Sequence, residues 1–291
     1  KLQQVSSKSF SNQQLDMKNV TAFQCLVLTP IELLGVSIGT STISAGGVAI
    51  LDREFCSDAD SDQFMQTLFS LLNFAAGSGA IGVRMRVDHI ADSQAMLVEL
   101  SRHPHWLILS TWEADELEPL LEALPQGQPR RVLLEVTSIE QALSLGQHHD
   151  LGQHHDIAGL VVRGQECGGW TGEDSSFILF QRLLTGQSLP LYVQGGGGPQ
   201  VAAACRGLGA AGVVLDDQLW LMPESPLPEP WQVLLRSLTG QEAVALGERV
   251  GRGCRVLVRP GMAAVTQLKA LAEQIEVDLG AGDEAAQRWY Q

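Results

Sequence analysis

Short, almost wholly apolar runs recur along the chain. They alternate with stretches in which apolar residues return every three or four positions. The runs fall at residues 24–28, 47–51, 80–85, 106–110, 131–136, 157–162, 191–194 and 212–215. Runs of this length and composition are the mark of strands buried on both faces, as in parallel sheets. The helical periodicity is clearest at residues 62–75, 93–102, 115–124, 139–145, 176–184 and 200–208. A weaker, glycine-rich pattern at 33–44 fills the first gap, and 228–238 supplies a helix after the last strand. Eight strands, each followed by a helix, predict an α/β fold of the (β/α)8 TIM barrel type. A doubly wound open sheet is the alternative; the strand count and the lack of an opening GxGxxG favour the barrel.

The character changes past Leu221. Four prolines within residues 222–230 read as an extended connector, and the tail carries a possible strand at 255–258 and an amphipathic helix at 263–276. The predicted organisation is an N-terminal extension (1–21), the barrel (22–240) and a short C-terminal extension (241–291). The tail is too short for a core of its own, so it should pack on the barrel or lead into a following domain. A first residue of Lys1 suggests a piece of a longer polypeptide.

Composition narrows the functional classes. The hydrophobic fraction of 45% supports a full core. A net charge of −14 with no basic stripe argues against nucleic acid and anionic membranes. The uncharged run 33–51 is broken by glycine, serine and threonine and splits into helix, turn and strand, so no membrane span is expected. The five cysteines lack CxxC spacing, which fits a reducing, cytoplasmic setting without a zinc site. The hexapeptide Leu-Gly-Gln-His-His-Asp occurs at 145–150 and again at 151–156. Two His-His-Asp clusters could ligate a metal. Their place between a helix and the next strand puts them at the N-terminal face, away from the usual site, so they read as a duplicated surface loop.

Candidate chemistry lies in the loops after the strands. The segment Gly164-Gln-Glu-Cys-Gly-Gly-Trp-Thr-Gly-Glu-Asp174 follows the strand at 157–162, and Gln194-Gly-Gly-Gly-Gly198 follows the strand at 191–194. Each precedes a helix. Backbone N–H groups at such turns can crowd against a bound anion, and two turns on consecutive units suggest one phosphorylated ligand held from both sides.

These segments, with Ser44-Ala-Gly-Gly-Val-Ala-Ile-Leu51 and Val136-Thr-Ser-Ile-Glu-Gln-Ala142, occur in an order that resembles the flavin-dependent barrels of the nitronate monooxygenase (2-nitropropane dioxygenase) family, which includes flavin enoyl reductases. The variant running from Trp170 to Leu184, with Leu215-Asp-Asp-Gln-Leu219, is similar to the barrel domain within bacterial polyketide and polyunsaturated-fatty-acid synthases. The resemblance implies FMN at the C-terminal mouth. Gly168 and Gly169 would lie beside it, and Gln194, Gly195, Gly196 and Gly197 would hold its phosphate. It also implies an acyl carrier protein or other synthase domains as partners, and a possible homodimer.

Two departures from the family pattern stand out. Asp216-Asp217 replaces the Gly-Thr or Gly-Ser whose donors face the phosphate, and Trp170 replaces a histidine. Trp170 could stack on a ring or acyl chain, or serve as a packed lid. Glu166 is the acid/base candidate, with a salt bridge to Arg163 or Arg84 as its alternative role. Cys167 reads as packing, since no histidine is near it in sequence. Arg84 and Arg86 alternate on one strand, so one could enter the mouth. Two functions therefore stand side by side: an FMN-dependent enoyl reductase with Glu166 or water as proton donor, and a non-catalytic barrel serving as a structural or docking module.

Overall fold

The structure is a computed structural model that describes residues 22–30, 35–55, 61–147, 157–248, 253–258, 263–279 and 288. Eight parallel strands close into a barrel: β1 (Gln24–Leu28), β2 (Val48–Asp52), β3 (Ile81–Arg86), β4 (His105–Ser110), β5 (Arg130–Val136), β6 (Ile157–Arg163), β8 (Leu191–Gln194) and β9 (Gly212–Leu215). The last pairs with the first, Cys25 opposite Val213. Helices α1 (Val36–Ser44), α2 (Ser61–Ala75), α3 (Gln94–Leu100), α4 (Ala114–Glu122), α5 (Ile139–Gln147), α6 (Ser176–Leu183), α7 (Pro199–Gly207) and α8 (Glu229–Ser237) follow the strands in turn. This is the (β/α)8 TIM barrel, with strand boundaries within one residue of those predicted.

Side-chain alternation explains the apolar runs. Leu51, Val83, Met85, Leu134 and Val162 face outward into the core shared with the helices. Leu26, Ile50, Ile108, Leu133, Val161 and Val214 face inward and fill the barrel. Lower in the barrel Trp106 meets Tyr192 edge to face at 6.0 Å. The two rings fit because glycines stand beside them. A Cβ on Gly82 would lie 2.7 Å from that of Trp106, and one on Gly212 would lie 2.8 Å from the Tyr192 ring. Bulk and absence of bulk are thus matched across the interior.

Two short strands were not foreseen. β7 (Gly169–Thr171), within the loop after β6, pairs antiparallel with β11 (Gly253–Leu257), which pairs in turn with β10 (Ala243–Leu246). Three- and four-residue strands in glycine-rich or mixed sequence carry too little periodicity to be read. The C-terminal segment therefore packs on the barrel through a strand that the barrel lends it. Helix α9 (Ala263–Leu279) covers this sheet, with Leu246, Val265 and Ile275 buried beneath it. The expected proline connector reaches back to α1, where the Pro226 ring fills the space beside Gly35. The histidine repeat lies at positions 145–156, of which 148–156 fall outside the described residues.

Ile108 is wholly buried in the barrel interior. Ile108→Ala is expected to destabilise the fold by about 2–5 kcal/mol through lost burial and a residual cavity. Val233→Ala, at a position 58% exposed on α8, should stay within about 0.5 kcal/mol. Urea unfolding of the two variants checks the contrast.

Candidate functional site

At the C-terminal end of the barrel the inward positions stop being apolar. Asp52 on β2, Arg84 on β3, Glu135 on β5 and Arg163 on β6 carry the alternation of Ile50, Gly82, Leu133 and Val161 upward by two residues. Glu54 joins them from the loop after β2. All five are at most 3% exposed. Arg84 is the hub: Nη1 lies 2.9 Å from Asp52, Nη2 lies 2.5 Å from Glu54, and Nε donates to Glu135 at 2.6 Å. Arg163 donates to Glu135 at 2.9 Å and to the Gly168 carbonyl at 2.7 Å.

Three carboxylates thus share two guanidinium groups. Burial would raise Glu135, but Arg163 and Arg84 outweigh it and hold this carboxyl below its ordinary range. Glu54 goes the other way. Burial pushes it up despite Arg84 and Arg163, and the Glu135 and Asp52 carboxylates add to the rise. The geometry agrees: Glu135 receives aligned hydrogen bonds, whereas neither Glu54 oxygen has one, only ionic proximity. Such a cluster is costly to break, because removing one partner strands the others without water.

Above this floor lies a cavity of about 420 Å³. The barrel loops form its lower wall, and α8 with the β10–β11–β7 sheet roofs it through Leu235, Leu238, Val256 and Leu257. Gly168, Gly169, Gln194 and Glu166 border it; Gly195, Gly196 and Gly197 do not. Glu166 stands between them and the cavity. Its carboxylate accepts from the Ser176 N–H at 3.0 and 3.1 Å and from the Ser176 hydroxyl, at the first turn of α6. There the helix dipole favours an anion. A Cβ on Gly195, whose φ is +141°, would lie 2.8 Å from the same carboxylate. The glycine turn is open enough to admit an anion, and the chain's own Glu166 fills it. The alternative salt bridge of Glu166 to Arg163 or Arg84 gives way to this capping contact.

The other expected residues take the following places. Trp170 sits in β7, packed among Val244, Cys254 and Val256 of the lid and 6.2 Å from the Phe55 ring, away from the cavity wall. Cys167 is buried, donates to the Gln194 carbonyl at 3.1 Å, and has its thiol pushed up to about 12 by burial, in keeping with packing. Arg86 pairs with Asp88 at 2.5 Å and takes no part in the floor. Asp216 and Asp217 both border the cavity. Gln194 Nε2 donates to Asp216 Oδ2 at 2.9 Å. Asp217 is pushed up to about 7 by desolvation and by Asp216 beside it, although its side chain reaches solvent at the rim. Asp52 and Glu54 escaped the sequence reading. The signal for Asp52 was its parity with Val48 and Ile50, which places a carboxylate inside the barrel.

The chain resembles several solved structures. FabK from Thermotoga maritima superposes with a TM-score of 0.66 at 17% identity, over 89% of this chain and 80% of that one. The enoyl reductase domain of MlnA, from the macrolactin biosynthesis cluster of Bacillus amyloliquefaciens, gives 0.61 at 14% identity over 87% and 67%. A nitroalkane oxidase from Streptomyces ansochromogenes gives 0.56 at 16% identity over 80% and 77%. The likeness is one of fold. No family model matches the chain, and no curated protein matches it in sequence.

Whether these residues fit an FMN phosphate can be judged from the mouth itself. A phosphate at the two turns would meet Glu166 at the Gly195 turn and Asp216 beside Gln194. At about 4 Å and an effective dielectric near 20, each such like-charge contact costs about 4 kcal/mol. Arg84 and Arg163 are committed below, and Arg255 on the roof donates to the Gln165 carbonyl and already offsets part of the Asp217 charge. The residues do not fit a flavin phosphate.

The floor makes its own prediction. Arg84→Met leaves three buried carboxylates with one guanidinium and is expected to cost about 3–5 kcal/mol of stability. Glu54→Gln, which mimics the protonated form that burial favours, should change stability by less than about 1 kcal/mol. Chemical denaturation at neutral pH separates the two; equal losses would contradict the assignment of Arg84 as hub.

Proposed function

We propose that the chain is a barrel of the flavin enoyl-reductase and nitronate-monooxygenase type that works without its flavin, as a non-catalytic binding or structural module of a polyketide or fatty-acid synthase. One observation carries this reading: carboxylates stand where a cofactor phosphate would need donors, with Glu166 seated over the Gly195 turn and Asp216 beside Gln194. The structural likeness to FabK and the MlnA enoyl reductase domain supports the ancestry. The sequence resemblance to synthase-embedded barrels supports the setting, with an acyl carrier protein or neighbouring synthase domains as partners; the scattered cysteines support a cytoplasmic location, and a long parent chain would make a homodimer plausible. No helix among the described residues is long and apolar enough to cross a membrane.

The enoyl-reductase reading asks more of this mouth than its residues offer. Reduction of an enoyl thioester needs a proton donor beside the acceptor carbon. Glu166 is held by Ser176, the Cys167 thiol is buried and Trp170 is turned into the lid, which leaves Asp217, pushed up to about 7 at the cavity rim, as the proton-bearing side chain, beside the Asp216 carboxylate that a flavin phosphate would have to face.

Purified protein is expected to be colourless, without flavin absorption near about 450 nm, and added FMN should leave its melting temperature unchanged, since a site of this charge gives no differential binding to the native state. A yellow protein, or a melting shift that saturates with FMN, would overturn the reading.

A further inference from the structure

The cavity at the barrel mouth has a chemical polarity that the absence of a phosphate site does not account for. Its roof is apolar, with Phe55, Trp220, Leu235, Leu238 and Val256 contributing. Its rim and floor are rich in acceptors. Two of its three guanidinium groups are spent in the floor, Arg84 on Asp52, Glu54 and Glu135 and Arg163 on Glu135 and the Gly168 carbonyl; the third, Arg255, donates to the Gln165 carbonyl at 3.0 Å and acts on Asp217 through space.

What remains at the floor is a pair of acceptors. Gln194 is 1% exposed, and its Nε2 is spent on Asp216. That contact fixes the amide orientation, because the reverse would set two oxygens against each other. Gln194 Oε1 and Asp216 Oδ1 are then buried and without a hydrogen-bond partner among the described residues, and the donor nearest Asp216 is the carboxyl of Asp217 in its protonated form. Neither Asp216 nor Asp217 forms an ion pair among those residues, and Arg255 acts on Asp217 only through space. Buried acceptors left unmatched are costly, so a donor-rich guest is favoured at this point.

We propose that this cavity binds a small organic cation, an ammonium group carried on an apolar chain. The ammonium would donate to Gln194 Oε1 and Asp216 Oδ1 beside Asp217, and the chain would lie under the α8 and β11 roof. An ammonium offers three donors and a charge of the right sign. A hydroxyl offers one donor and no charge, and a carboxylate or phosphate offers repulsion. The proposal rests on the reading that no flavin phosphate occupies the mouth, and the two can fail separately.

The test is isothermal titration of n-hexylammonium, hexan-1-ol and hexanoate into the full chain, at about 150 mM salt to screen the acidic surface. The ammonium is expected to bind at least about tenfold more tightly than the alcohol, about 1.4 kcal/mol, and hexanoate is expected not to bind. Asp216→Asn and Asp217→Asn should each reduce the ammonium's advantage, while leaving the alcohol's affinity as it is. Equal affinity for ammonium and alcohol, no binding of either, or an ammonium affinity untouched by both substitutions would overturn the proposal. The ligand comparison needs no variant, so a substitution that fails to fold does not decide the outcome. FMN added in a parallel titration separates the two failures: FMN binding would sink the flavin-free reading, whereas its absence together with failed ammonium binding would sink the cation site alone.

Discussion

The upper end of this barrel depends on Arg84. Closing eight parallel strands brings their inward side chains onto one axis, and here the last inward layer is ionic rather than apolar. Arg84 ties strands β2, β3 and β5 and the loop after β2 into a single cluster, and Arg163 extends it to β6. Such an arrangement does not add stability over an apolar layer by default; it makes the loss of a guanidinium costly to the carboxylates left behind. It also fixes the sign of the mouth. With three carboxylates to two guanidiniums at the floor, neither arginine is free to meet an incoming anion.

The rest of the mouth follows the same sign. Two turns with the backbone freedom to cradle a phosphate are present, yet Glu166 docks on the first turn of α6 and shields the Gly195 turn. Asp216 and Asp217 face the cavity from the end of β9. A site with the backbone shape of an anion cradle is thus closed to anions by the Glu166 side chain that occupies it and by the carboxylate charge around it. Shape and charge are separable inheritances of a fold, and likeness to oxidoreductase structures speaks to the first only.

Much of this was legible in the chain. The eight apolar runs carry their own evidence, because strands buried on both faces cannot hide polar residues except at their ends. Asp216-Asp217 was legible as a departure with an electrostatic consequence, and the structure places both residues at the mouth. Other features depend on partners distant in sequence. The contact of Glu166 with Ser176 needs the loop after β6 to fold back onto α6, and nothing in residues 164–176 taken alone distinguishes it from a bridge to Arg163. The lid sheet needs β7 and β11 to meet across some eighty residues of chain. Trp170 looked equally suited to a ligand or a lid until that pairing settled its neighbours.

The most direct measurement compares FMN affinity for the natural chain with that for a triple variant, Glu166→Ala with Asp216→Asn and Asp217→Asn, by fluorescence titration of the flavin. If Glu166 and the two aspartates are what close the cradle, the triple variant binds FMN at least about tenfold more tightly than the natural chain, since one relieved like-charge contact is enough for that factor. A natural chain that binds FMN as tightly as the variant would contradict the account.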